Sequence, residues 1–455
     1  MASPDLVAEL APHLERFPMG IGPRWAEYWR HRATEYLMGQ VLPGARKSME
    51  PMAARLSDVA YHEMQQFITN SPWDWEETQG GLIDVARTDV GTADALIPID
   101  DTAFVKQGDD SVGVARQYCG ILGKVANCQV AVTMVYLVPD PARNADGGVF
   151  PLGIRLFLPE EWADDPGRRR RARIPSWVKH REKWRIALEL VDLVRGRRLP
   201  HRAYTFDAGY GNSREFRAEL RHRGESYVAG VDPASLYVVQ EAMQLRELPP
   251  PSGGPPGSRL RFPAGKRGRS ARDMAQELPP SAWHKVAWTE GTKGELKGWF
   301  ARVRVRVTKK AQPTKEVGWL LFERRDDVLK AYLCHGFDTA SLEELVRVAR
   351  GRWAIEQFHR ETKDELGLDH FEGRRWTGWY HHTTLTLLAY SFLATKRWQQ
   401  RSERPEKPLP TLPEIRRGVV EHVVERLLGE AITSAGDEKG RNAARRLSAL
   451  LTKAG

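Results

Sequence analysis

A chain of 455 residues, 41% hydrophobic and 28% charged, has the composition of an ordinary soluble globular protein and is long enough for two or three domains or one large elaborated one. Its 69 Lys and Arg against 59 Asp and Glu leave a net charge of +10, which favours a polyanionic partner, with nucleic acid the first candidate. The cysteines, Cys119, Cys128 and Cys334, are too few and too scattered for a disulfide framework or a Cys-based zinc site, and they point to a reducing compartment.

The first residues, "MASPDLVAELAPHLERF", have no basic start leading into an apolar core, so no secretory signal is expected. Residues 1–90 read as helices. Within them "SMEPMAARLSDVAYHEMQQFITNSPWD" holds two short helical patterns, with Ser57 and Asp58 available as turn and N-cap. That is a helix-turn-helix pattern, and an ordinary helical hairpin reads equally well. From residue 92 the period changes: "DALIPIDDTAFV", "NCQVAVTMVYLV" and "PLGIRLFLP" are short, rich in β-branched residues and bounded by turn formers, which predicts strands. A basic stretch, "GRRRRARIP", leads into a predicted long helix, "WVKHREKWRIALELVDLVRG". In "HRAYTFDAGYGNSREFRAELRHRGESYVAGV" the pattern is strand, Gly-rich turn, helix with Asn212 and Glu215 spaced as a capping box, Gly224 as a stop, and a second strand. Strands followed by a βαβ unit predict a mixed α/β sheet.

"RELPPPSGGPPGSRLRFPAGKRGRSAR" is too rich in Pro, Gly and cations for a core element and predicts an exposed loop or linker. "AWHKVAWTEG", "GWFARVRVRVTKK", "GWLLFERR" and "LKAYLCHG" follow as antiparallel strands of a β-rich insertion. Next, "SLEELVRVARGRWAIEQFHRETKDELGLDHF" reads as one helix whose apolar stripe, Leu342, Leu345, Ala349 and Trp353, ends on Glu356. "TTLTLLAYSFLAT" is too short for the roughly 20 residues of a membrane span and predicts a buried helix. After the Pro-rich hinge "RPEKPLPTLPEI" comes a charged helical tail.

A carboxylate on a buried face costs several kcal/mol unless it is paired or metal-bound. For Glu356 two alternatives are open: a salt bridge to Arg352 or Arg360, or a site shared with other acids. Asp100 and Asp101 end the apolar strand in "IPIDDTAF", and Asp207 ends another in "YTFDAGYG". Ligands of open α/β sheets bind beside the carboxyl ends of strands, although a single Asp there is more often a cap. Together, carboxylates from two strands and a helix, in a basic chain with no Cys or His cluster, suit Mg²⁺ or Mn²⁺. Two such ions serve phosphodiester cleavage or strand transfer.

The segments "IDDTAFVKQGDDSVGVARQYCGILGKVANCQVAV", "AYTFDAGYGNSREF" and "RWAIEQFHRETKDELGLDHFEGRRWTGWYHHTTLTLLA" strongly resemble the DDE transposases of bacterial insertion sequences. The closest group is the cut-and-paste one whose RNase H-like core is interrupted by a β-strand insertion domain. The resemblance covers most of the chain. It implies an α/β fold with an RNase H-like mixed sheet core, an all-β insertion domain, a helical N-terminal DNA-binding domain and a helical C-terminal tail. The corresponding divisions are 1–90, 91–231 with 341–400 as the two parts of the core, 232–340 and 401–455. It implies Asp100, Asp207 and Glu356 as catalytic residues and ligands of two Mg²⁺ or Mn²⁺ ions, with Asp101 in reserve for the first position. Arg352, four before the Glu, and Lys363, seven after it, match cations that bind DNA, and Arg360 lies between them. The family's Tyr falls on Ala349.

The resemblance further implies double-stranded DNA as partner, at the element ends and at the target, a homodimer that cuts two ends in concert, and a place in the bacterial cytoplasm at the nucleoid. Arg168, Arg169, Arg170 and Arg171, and Lys266 and Arg267, are candidate phosphate tracks, which would make binding salt-dependent. An aromatic of the insertion, among Trp288, Trp299 and Trp319, is a candidate holder of a flipped base. His381 and His382 point about 100° apart on a helix and read as packing or DNA-facing residues rather than a metal pair. Against the transposase reading stand a catalytically silent DNA-binding regulator of the same fold and a plain structure-selective nuclease.

Overall fold

The computed structural model describes residues 4–19, 23–56, 59–140, 145–248, 259–291, 294–309, 312–325, 328–403, 407 and 409–434, with 438, 441, 443, 444 and 448. Helices come first: α1 (Pro4–Leu14), α2 (Pro23–Val41), α3 (Met49–Arg55), α4 (Tyr61–Asn70) and α5 (Trp75–Val90). Asp74 caps α5 by accepting from the amides of Glu76 and Glu77. α3 and α4 fall where the two short helical patterns were expected. Ser57 and Asp58 lie outside the described residues, and α4 starts after Ala60 with no side-chain cap.

The strands β1 (Leu96–Val105), β2 (Ala115–Cys119), β3 (Lys124–Asp140) and β4 (Ala145–Leu156) follow, then α6 (Glu160–Ala163), α7 (Pro166–Ala172) and α8 (Lys183–Gly196). The helix expected from Trp177 starts only at Lys183. Buried positions at helical spacing begin with Ile186 and Ala187, and the irregular stretch before the helix is tied to Leu158 by the His180 imidazole on its carbonyl. The predicted βαβ unit is present as β5 (Ala203–Phe206), the single turn α9 (Ala208–Gly211), α10 (Arg214–His222) and β6 (Tyr227–Val231), with β5 and β6 parallel. Its cap is Ser213, which accepts from the Phe216 amide, and not Asn212, whose side-chain oxygen instead accepts from the Asp232 amide. Gly224, at φ +75, ends α10 as expected.

Residues 232–340 hold β7 (Tyr237–Gln240), β8 (Arg246–Leu248), β9 (Arg259–Arg261), β10 (Arg269–Ser270), α11 (Ala271–Gln276), β11 (His284–Gly291), β12 (Gly294–Lys309), β13 (Gln312–Arg325) and β14 (Val328–His335). The segment expected to be all-β therefore carries a short helix, capped by Ser270. The stretch expected as an exposed loop contributes β8 to β10, and residues 249–258 within it are not described. The strands of residues 232–340 continue the sheet of β1, β5 and β6, because β14 pairs antiparallel with β6 and satisfies an edge that would otherwise be open. The order is β10-β7-β12-β13-β14-β6-β5-β1-β3-β2, with β11 added to β12 and β4 to β3. One apolar core runs through all of it, from Leu10 of α1 to Phe300 and Leu320 of the insertion.

The last elements are α12 (Leu342–Gly351), α13 (Trp353–Asp364), α14 (Trp376–Glu403) and α15 (Leu412–Thr433). The single helix predicted across Glu356 is two, broken at Arg352. Gly351 lies so close to β1 and β3 that a Cβ there would stand 2.5 Å from Leu96 Cδ1 and 3.1 Å from Leu137 Cδ2. The break resets the buried face to Ala354, Ile355, Phe358, Glu361 and Thr362, and Trp353, placed on the stripe by its spacing, is 52% exposed. The buried acid of this helix is accordingly Glu361, which accepts from Tyr390 Oη at 2.8 Å and Gln357 Nε2 at 2.8 Å.

α14 is buried from Gly378 to Ala394, as the run "TTLTLLAYSFLAT" predicts. Its polar groups are satisfied by the N-terminal helices: Thr386 by Gln40, Thr384 by Gln79, Ser391 by His13 and His382 by Tyr36. Among the described residues, no helix is long and apolar enough to cross a membrane.

Candidate active site

Two strand ends bring the first acids together. β1 and β5 are parallel neighbours with Ile99 opposite Phe206, so the next residues, Asp100 and Asp207, stand side by side, about 4.8 Å apart in backbone spacing. Asp207 begins the turn α9, accepting from the amides of Gly209 at 2.9 Å and Tyr210 at 3.3 Å. Burial, with the charge of Asp207 adding to it, pushes the Asp100 carboxyl up to about 7. Asp101 is differently placed: its carboxylate pairs with the Lys183 ammonium of α8.

Glu356 reaches the same place from α13. Arg352, one turn earlier, donates from Nη1 to Asp100 Oδ2 at 2.9 Å and from Nη2 to Glu356 Oε1. Of the alternatives open for Glu356 in the sequence, the salt bridge to Arg352 is formed, in a cleft that Asp100 and Asp207 also line. Burial opposes the Arg352 charge, but Asp100 and Glu356 more than offset it and raise its pKa. Arg360 and Lys363 line the same cleft, of about 880 Å³, with Asp100, Asp101, Asp207 and Glu356.

Lys183 and His359 of the cleft, and Thr133 behind it, have no signal in the local sequence. Thr133 of β3 donates to the Asp100 carbonyl at 3.0 Å and meets His359 Nε2 at 2.6 Å, so with its single proton engaged it accepts from the imidazole. Burial lowers the His359 pKa to about 3, which keeps the ring neutral. Lys363 donates to Thr102 Oγ1 at 2.7 Å and to the Ala103 carbonyl at 2.9 Å, tying α13 to β1, and burial lowers its ammonium to about 8. Lys183 lies 82 residues from Asp101, beyond any local pattern.

The donor set, carboxylates without Cys or His, suits a hard divalent cation. Among the described residues, no three His, Cys, Asp or Glu side chains are arranged to hold a metal ion. The Arg352 guanidinium is placed between Asp100 and Glu356 and pairs with both.

The remaining candidates lie outside this cleft. Arg168 pairs with Glu161, and Arg169 donates to the carbonyls of Val178 and Pro175, whereas Arg170 and Arg171 are exposed on α7. Lys266 and Arg267 are exposed between β9 and β10. Trp288 and Trp319 are partly buried beneath Arg350 at 4.3 Å and Arg302 at 4.4 Å, and Trp299 is exposed. His381 and His382 are core residues: the first bonds the Ile68 carbonyl and stacks on Trp73, and the second bonds Tyr36 and the Leu368 carbonyl.

Asp100 and Asp207, at the ends of parallel strands, and Glu356, on a helix, thus line one cleft. A sequence model of the DDE superfamily endonuclease family matches residues 17–295, more than half of the chain, and the chain belongs to that family. The matched region includes Asp100 and Asp207 and ends before Glu356. The chain is also 27% identical over 209 residues to the probable transposase for insertion sequence element IS701 of Microchaete diplosiphon, covering 46% of this chain and 48% of that protein. It thus spans about half the length of the curated relative it matches.

Proposed function

We propose that the chain is a transposase of a bacterial insertion sequence. It binds the element's terminal inverted repeats, cuts at the element ends and joins the freed 3′-hydroxyls to target DNA, with hairpin ends as one route. The observation that carries this reading is the convergence of Asp100 and Asp207, at adjoining strand ends, with Glu356 on α13 in one cleft. The similarity to a probable insertion-sequence transposase supports it.

In this reading Asp100, Asp207 and Glu356 hold two Mg²⁺ or Mn²⁺ ions, which supply activation of the attacking oxygen and stabilisation of the leaving one. Asp100 is taken as the first position because it adjoins Asp207, with Asp101 in reserve. Arg352, freed from the carboxylates, and Arg360 hold the phosphates of the cut strand, and Lys363 fixes α13 against β1. Arg170, Arg171, Lys266 and Arg267 extend a salt-sensitive phosphate track. The N-terminal helices read the end, residues 232–340 act as the insertion, and two copies cut two ends in concert beside the nucleoid. In cleavage a water oxygen bonds to phosphorus as the 3′-oxygen leaves and takes up a proton. In joining, that 3′-hydroxyl attacks a target phosphate and displaces the target's own 3′-oxygen.

The test is a labelled duplex carrying the end repeats, read from DNA flanking the gene, incubated with Mg²⁺ or EDTA. Cleavage at the repeat in Mg²⁺ alone, abolished in Asp207→Asn and Glu356→Gln while both still bind, is the expected result. Binding without any cleavage by the unaltered chain would instead make it a DNA-binding regulator.

A further inference from the structure

Beside the cleft, the hairpin of β2 and β3 exposes apolar side chains that cleavage chemistry leaves unused. Tyr118 is 65% exposed and Ile121 58%, and Leu122 and Val125 are exposed with them. Exposed singly, such residues are ordinary, but grouped on one tip they mark a contact surface. Tyr118 and Val125 are opposed across the hairpin, and Arg116, two residues before Tyr118, shares their face and is also exposed.

The tip is firmly mounted. Its turn is closed by the Leu122 amide on the Cys119 carbonyl at 3.0 Å and the Gly123 amide on the Gly120 carbonyl at 3.3 Å, with Gly123 at φ +62. Behind it, Cys119 and Cys128 pack with Ala103 and Val130, so the tip is anchored on β1, the strand that carries Asp100.

Tyr118, Gly120 and Ile121 line the cleft that holds the acids, with Arg360 and Lys363 among its other walls. From residue 114 to 128 the hairpin has Arg116 and Lys124 and no Asp or Glu. Aromatic and aliphatic surface mixed with cations fits a polyanion that has flat apolar faces, which is nucleic acid with its bases exposed. The same tip of a second copy fits poorly, since its charged side chains, Arg116 and Lys124, would meet their like.

We infer that the β2–β3 tip is a wedge that opens the DNA at the cut, with Ile121 entering the base stack and Tyr118 taking an unstacked base on its ring. This rests on the reading of the cleft as a DNA-cleaving site and assigns to the core hairpin a role separate from the tryptophans of the insertion. An apolar wedge trades the cost of unstacking for access to the strand, and here it would bring the scissile phosphate down to the acids.

The test is binding of the element-end duplex to the full chain in EDTA, followed by fluorescence anisotropy, with melting curves to show that each exposed-site variant is folded. Tyr118→Ala and Ile121→Ser are expected to bind about tenfold more weakly, the loss of one stacked base, and Tyr118→Phe as tightly as the unaltered chain. A mismatch in the pair next to the mapped cut is expected to restore Ile121→Ser, because that pair no longer has to be opened. Variants that bind the paired duplex normally, or an Ile121→Ser loss that persists on the mismatched duplex, would overturn the wedge while leaving cleavage in place. A change in solution mass with Ile121→Ser and unaltered DNA binding would assign the patch to a second copy and also overturn it. If the unaltered chain binds no end duplex, the DNA reading of the cleft falls, and the wedge with it.

Discussion

Arg352 touches Asp100 and Glu356 at once, and with Asp207 adjoining Asp100 it is the cation that allows these acids to share one cleft. Removing it leaves like charges facing each other. In Arg352→Gln, unfolding by urea in EDTA is expected to show about 1–2 kcal/mol less stability. That is below the usual cost of breaking a buried pair, because Arg352 and Glu356 are partly exposed. The same variant should bind Mn²⁺ more tightly by calorimetry, since the competing cation is gone. Unchanged stability and unchanged Mn²⁺ affinity would deny Arg352 this role. At this scale much was legible: Asp100, Asp207, Glu356, Arg352, Arg360 and Lys363 were all candidates, by residue type and spacing or by the family resemblance, and all line the cleft. Lys183, Thr133 and His359 were not, because each acts through a partner on a distant strand or helix.

Among the elements, the break between α12 and α13 sets the direction of Glu356. A continuous helix would have kept Trp353 on the buried stripe, whereas the observed break turns Ile355 and Phe358 inward and leaves Glu356 facing the cleft. The enabling residue is Gly351, packed against Leu96 and Leu137. In Gly351→Ala the added methyl overpacks this contact, and denaturant unfolding is expected to show a loss of about 1–3 kcal/mol. Cleavage should fall further than the folded fraction does, because α13 carries Glu356. Stability and cleavage equal to the parent chain would mean that the close approach is not required. Periodicity identified β1, β3, β4 and the βαβ unit and took the segment of β8 to β10 for a loop; it also misplaced the α8 start and the α10 cap. In both cases a tertiary bond, His180 to the Leu158 carbonyl or Asn212 to the Asp232 amide, claimed residues that local pattern assigned otherwise.

The whole molecule is organised around α14, whose polar groups are paired by helices from the other end of the chain. Burial lowers the pKa of His13 to about 3 and of His381 and His382 to about 4, from 6.5, so these rings are neutral when folded and protonated when unfolded at mildly acid pH. The unfolded state then binds more protons, and stability rises with pH. Equivalently, it is lost as pH falls below 6.5, at a limiting slope of about 1.4 kcal/mol per pH unit for each ring, until the folded values near 4 and 3 are reached. Urea unfolding between pH 7 and pH 5 is expected to show this loss, and His381→Asn to flatten it; a slope unaltered in the variant would place the acid sensitivity elsewhere.

The sequence alone determined the α/β class, the strand-end acids, the acidic helix and the basic balance, because these depend on local period and residue chemistry. Only the tertiary structure decided that Arg352 stands between the acids, that Asp101 pairs with Lys183, that β14 extends the sheet at β6 and that the N-terminal helices complete α14. Each of these joins residues far apart in the chain, and depends on how closely two backbones approach, which no local pattern records.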